Sequence, residues 1–162
     1  MKKIFIYLIT FSFVFNLSIA KDRNFQLITT SNNASFFLDI DSVKRANNNP
    51  KDPVLEIKWI ELVSYNKPQT TDSGKKFHSL QLYKKGKCIG NQSKIYMFQS
   101  YDKKMHDGNV MKGNIVDTFM NYEEDWTTRE EGTAGYVILI KACQQIIKNA
   151  AKKFHERNKK KN

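Results

Sequence analysis

The chain has two cysteines, and they sit in stretches of opposite periodicity. Cys143 lies in residues 133–154, TAGYVILIKACQQIIKNAAKKF, where Tyr136, Ile140, Cys143, Ile147, Ala150 and Phe154 recur at steps of three and four. Lys141, Gln145, Lys148 and Lys152 fall on the other side. That spacing predicts an amphipathic helix with a cysteine set into its apolar stripe. Cys88 lies among segments that alternate apolar and polar residues, the period of strands. The stripe needs a partner, and what precedes it reads as strands. The expected fold is α+β: an antiparallel sheet of about six strands, packed by the C-terminal helix and tied by one disulfide.

The start of the chain sets the redox compartment. Lys2 and Lys3 precede an apolar run over residues 4–15, and Ser18-Ile19-Ala20 supplies the small-x-small pattern a signal peptidase accepts. Residues 1–20 are expected to be a signal peptide cleaved after Ala20. The apolar run is shorter than the roughly 20 residues needed to cross a bilayer, so no transmembrane segment is expected in the mature form. In an oxidising compartment an even pair of cysteines in a small domain reads as a bridge. Two isolated cysteines cannot complete a metal site, and no partner for a catalytic thiol is recognisable. A Cys88–Cys143 bridge closes a loop for which chain entropy gives about 4 kcal/mol.

Without the leader, 142 residues remain, the size of a single domain with one core. They carry 25 basic residues, 27 less the two in the leader, against 16 acidic, a net charge of +9. Such an excess favours anionic partners: acidic glycans, phospholipid or lipopolysaccharide head groups. The lysines are spread over many segments, which reads equally as solubility. No finger, RNP or helix-turn-helix signature is present, and no nucleic-acid partner is expected.

Taken in order, residues 25–30 read as a first strand, stopped by Ser31-Asn32-Asn33, and 34–38 as its return. Asp39-Ile40-Asp41-Ser42 resembles a helix or turn start, with a carboxylate capping free amides. Residues 45–52 form a loop. The clearest strand is 54–65, with Leu55, Ile57, Trp59, Val63 and Tyr65 on one face and Glu56, Lys58 and Ser64 alternating with them. Residues 66–75 read as a long connection. Then come a strand over 77–83, a turn beginning at Lys85-Gly86-Lys87, and a strand over 94–101 that is apolar on both faces and so expected near the sheet centre. Asp107-Gly108 marks a hairpin with a return arm over 109–116. Glu123, Glu124, Asp125, Glu130 and Glu131 precede the helix, where its partial positive charge suits them. The domain is expected over 21–157, followed by a disordered basic tail at 158–162.

In these residues the chain resembles the surface-adhesin protein E family of Gram-negative bacteria. The likeness rests on the leader, the segment Phe36-Phe37-Leu38-Asp39-Ile40-Asp41-Ser42-Val43, a cysteine at the central hairpin (Cys88) and a closing helix bearing the second (Cys143). It covers residues 25–154 or so. The resemblance implies a disulfide-tied sheet and helix, and an outer-membrane adhesin that binds host matrix proteins and can form a homodimer. Two departures stand out. No cysteine lies at or after the expected cleavage site to accept a lipid, which makes the periplasm the expected location, with the cell surface or the medium as alternatives. Gly132 stands where the family has a proline before its helix.

No catalytic residue is expected. His78, His106 and His155 lie far apart and in no metal-ligand spacing, and there is no glycine-rich phosphate loop or GxSxG elbow. Glu56 and Glu61 fall on opposite strand faces by parity, so they are not a glycosidase pair. No metal or other cofactor is implied. The function expected is that of a non-catalytic envelope protein binding a matrix protein or an acidic glycan. The alternative is a periplasmic regulator or inhibitor that docks on another protein. The candidate contact residues are Tyr83, Lys84, Lys85, Lys87 and Lys94, around the central hairpin. Hairpin lysines also serve simply to discourage edge-to-edge pairing.

Overall fold

A computed structural model describes residues 23–47, 55–71, 73–110 and 125–159. The expected leader at 1–20, most of the return arm expected at 109–116, and residues 160–162 of the tail lie outside them.

Six antiparallel strands form one sheet in chain order: β1 (Phe25–Thr30), β2 (Ala34–Arg45), β3 (Glu56–Thr70), β4 (Lys76–Lys87), β5 (Gln92–Tyr101) and β6 (Thr127–Thr128). A 3-10 turn, Lys104–His106, follows β5, and α1 (Ala134–Lys159) closes the chain. The fold class and the bridge are as the sequence predicts: Cys88 and Cys143 are joined, with Cα atoms 5.8 Å apart. Ser31 makes the first turn, its Oγ accepting from the Ala34 and Asn33 amides at 3.2 and 3.3 Å.

The strands differ from the sequence reading where polar residues fall inside them. Asp39-Ile40-Asp41-Ser42 starts no helix. It is an irregularity within β2, where pairing with β3 jumps from Asp39↔Ile60 to Lys44↔Lys58. The same capping chemistry acts on a bulge: Asp39 Oδ1 accepts from the Asp41 amide, and Ser42 Oγ accepts from Ile60 at 2.8 Å while donating to the Asp39 carbonyl at 2.6 Å. The connection expected at 66–75 is mostly strand, since β3 runs to Thr70 and resumes pairing at Gln69↔Phe77. Lys85, Gly86 and Lys87 are strand, and the turn follows them. β5 is not central. Beyond it the described sheet has only the two residues of β6 and a bridge from Tyr101 to Val110, and Tyr96 and Met97 are exposed.

One sheet face carries α1. Leu38, Ile40, Val43, Ile57 and Trp59 pack against Ile138, Leu139, Ala142 and Cys143. A second cluster, Ala34, Val63, Phe77, Leu80 and Leu82, continues the apolar surface along the strands. Thr133 caps the helix, its Oγ1 accepting from the Tyr136 amide at 3.3 Å, and no acidic residue occupies the first turn. The buried side is rotated from the predicted stripe. Ile147 and Phe154 are 63% and 64% exposed, because the bridge and the contact with Gly86 turn Ile138, Leu139 and Ala142 to the sheet. Residues 150–159 are all exposed, and the helix continues through Asn158 and Lys159, where a disordered tail was expected.

Gly86 sets how close the helix comes. A Cβ there would lie 2.6 Å from Leu139 Cδ1 and 2.6 Å from Trp59 Cζ3. Gly86→Ala is therefore expected to lower the unfolding free energy by about 1–3 kcal/mol through overpacking, a shift readable as a lower urea midpoint. An unchanged midpoint would show that the helix does not rest on this strand.

Candidate functional site

Strand parity divides the five hairpin residues. Gly86 faces the helix, so Lys84 does too, while Tyr83, Lys85 and Lys87 face the opposite side. Lys84 is 4% exposed and pairs with Glu61, which is 3% exposed, its Nζ 3.2 Å from Glu61 Oε2. The two are in ionic contact without the alignment of a hydrogen bond. Lys84 is thus a buried structural group and no part of a contact surface. Parity holds the signal for this, because consecutive strand residues cannot share a face. Glu61 likewise occupies the gap in the Leu55, Ile57, Trp59, Val63, Tyr65 stripe. Its negative charge, after burial itself, helps hold the Tyr65 hydroxyl above the usual phenol range.

The other four residues do come together on the open face, and two aromatic rings join them. Lys87 Nζ lies 4.2 Å from the centre of the Trp126 ring and Lys94 Nζ 5.4 Å from it, while Lys85 Nζ lies 5.8 Å from the Tyr96 ring. Such contacts contribute about 0.5–1 kcal/mol at exposed sites. Tyr83 and Tyr96 meet edge to face with centroids 6.3 Å apart. Tyr96 is the extra residue where pairing shifts from Tyr83↔Met97 to Lys84↔Ile95, which leaves it 42% exposed. Burial, and then Tyr83, push its hydroxyl above the usual phenol range, so it is neutral at physiological pH.

Register supplies two lysines that local sequence reading missed. Lys44 opposes Lys58, Lys58 opposes Lys85, and Lys85 opposes Lys94. Four strands thereby place four lysines in one row of backbone positions across the open face. Like charges directly opposite one another are destabilising. Among the described residues none of the four makes an ion pair. A cleft of about 300 Å³ at the row is lined by Lys44, Lys58, Ile60, Tyr83 and Tyr96, with Ser42 and Trp59, and among the described residues by no carboxylate. Glu56 opposes Lys87 one row away, but Lys87 lies over Trp126 instead. Asp39 is held by Arg23 at 3.6 Å.

Farther along this face Gln81, Tyr83, Gln99 and Tyr101 form a hydrogen-bonded network. Ser79 Oγ donates to the Lys103 carbonyl and accepts from the His106 amide, which fastens the 3-10 turn over the network. A larger groove, about 760 Å³, runs between the end of β2 and the second half of α1. Its lining mixes Lys44, which also lines the smaller cleft, Arg45, Lys152 and Lys153 with Asp41 and Glu156. Among the described residues no cluster of His, Cys, Asp and Glu suits a metal ion, and no helix is long and apolar enough to cross a membrane.

A family profile described as surface-adhesin protein E matches residues 25–144. A search of curated protein sequences finds no significant match. Among solved structures, Haemophilus influenzae protein E aligns with a TM-score of 0.52 at 16% identity, covering 74% of this chain and 82% of that one. A second crystal form of the same protein aligns with a TM-score of 0.51 at 14% identity, covering 67% and 80%. At such identities the likeness is one of fold.

Proposed function

This chain belongs to the surface-adhesin protein E family, and from that premise we propose that it is a non-catalytic, exported envelope protein that binds a host matrix protein or an acidic glycan through its open sheet face. The observation that carries the reading is the gathering of Lys85, Lys87 and Lys94 over Tyr96 and Trp126 on the side of the sheet away from the helix. Aromatic rings supply contact area at low entropic cost, and unpaired ammonium groups steer anionic partners.

The test is binding of the mature chain to an immobilised basement-membrane preparation. Changing Lys85, Lys87 and Lys94 together to Glu is expected to lower binding at least tenfold, and raising the salt from 0.05 to 0.5 M to weaken the unsubstituted chain in the same direction. Binding that withstands both treatments would place the contact elsewhere. The periplasmic alternative draws on the lack of a cysteine beside Ala20. Protease treatment of intact cells separates the two, since a surface adhesin is cleaved and a periplasmic docking protein is protected.

A further inference from the structure

We propose that the row Lys44, Lys58, Lys85 and Lys94 binds a single linear, regularly charged polysaccharide laid across the strands, its sulfate or carboxylate groups meeting the lysines in turn. The proposal rests on the reading of the open face as a contact surface and names its ligand class.

Adjacent strands lie about 4.8 Å apart, so the row roots its lysines at intervals close to one sugar ring along a linear chain, over a span of about 14 Å of backbone. The register that creates it pairs Lys44↔Lys58, Lys58↔Lys85 and Lys85↔Lys94. Each pairing is repulsive, and among the described residues no carboxylate in the row offsets it. Lys58, Lys85 and Lys94 are half-buried, which limits their screening by solvent. A polyanion lying along the row replaces three repulsions with attractions. The cleft beside it, lined by Lys44, Lys58, Ile60 and Tyr83 among others, has apolar surface next to the charges against which a sugar ring can rest.

The rings argue against a nucleic-acid strand. Single-stranded nucleic acid is held by bases stacked on open aromatic faces. Here lysine ammonium groups already lie over the Tyr96 and Trp126 faces. The row is built to address charges directly.

The experiment titrates the mature chain with a heparin-derived hexasaccharide, a disaccharide of the same composition, and an oligodeoxythymidylate of equal charge. The hexasaccharide is expected to bind at least tenfold more tightly than either. Its salt dependence should have a log–log slope that falls by about one for each lysine changed to Gln. Lys58→Glu is the decisive variant, because it sets an opposite charge between Lys44 and Lys85. It should melt no lower than the unsubstituted chain and yet lose at least tenfold in hexasaccharide affinity. Equal affinity for the disaccharide, tighter binding of the oligonucleotide, or undiminished binding by Lys58→Glu would each overturn the proposal. These failures are separable from failure of the adhesin reading. Should Lys58→Glu keep full matrix binding while Lys87→Glu and Trp126→Ala lose it, the contact surface stands and the polysaccharide row falls.

Discussion

Replacing Cys88 and Cys143 together with serine is expected to lower the unfolding free energy by about 4 kcal/mol, read as a fall in urea midpoint. The bridge closes a loop with a sequence separation of 55, and its removal returns that loop's freedom to the unfolded chain. A domain's whole net stability is about 5–15 kcal/mol, so the variant should be marginal at 37 °C. The folded state loses as well. Residues 150–159 of the helix are exposed, and its hold on the sheet comes from a short apolar face, Ile138, Leu139, Ala142 and Cys143, beside the bridge. Reduced, unsubstituted protein should match the double variant. An unfolding free energy within about 1 kcal/mol of the oxidised domain's would mean that packing alone docks the helix.

Lys84→Met is expected to cost about 3–5 kcal/mol, a loss seldom seen for a strand lysine, because it strands the Glu61 carboxylate in the interior. The companion Lys84→Met, Glu61→Leu variant should recover most of that loss, since two apolar side chains of similar volume replace a pair that lacks an aligned hydrogen bond. A double-mutant cycle on urea midpoints measures the coupling. Near-additive single effects would show that the two charges do not depend on one another. Neither variant should change glycan or matrix binding, because both side chains lie on the helix side of the sheet.

What the sequence made legible follows from how local each signal is. Period two at Leu55, Ile57 and Trp59 and the steps of three and four around Cys143 are local patterns that mark the strands and the helix, whereas the bridge follows from the leader and the even number of cysteines. Asp39 and Ser42 misled because one hydrogen-bonding chemistry serves both helix starts and strand irregularities. The stripe ending at Ile147 and Phe154 misled because an apolar period marks a helix without saying where the sheet beneath it stops. Lys84 is set apart from Tyr83, Lys85 and Lys87 by strand parity, a signal present in the sequence alone. The lysine row was legible only in part. Lys85 and Lys94 flank one hairpin, but Lys44 and Lys58 join them through pairings between separate segments. Lysines that look dispersed along the chain are collected by the register of four strands.

The proposed binding surface is the open face of the sheet. Amide and lysine side-chain NMR spectra of the mature chain, recorded while a sulfated hexasaccharide is added, test that claim most directly. The largest shifts are predicted at Lys58, Lys85, Lys94 and Tyr96, with Lys84, Ala142 and Cys143 on the helix side unmoved. Shifts gathered instead around Arg45, Lys152 and Lys153 at the helix groove, or scattered evenly over the surface lysines, would contradict it.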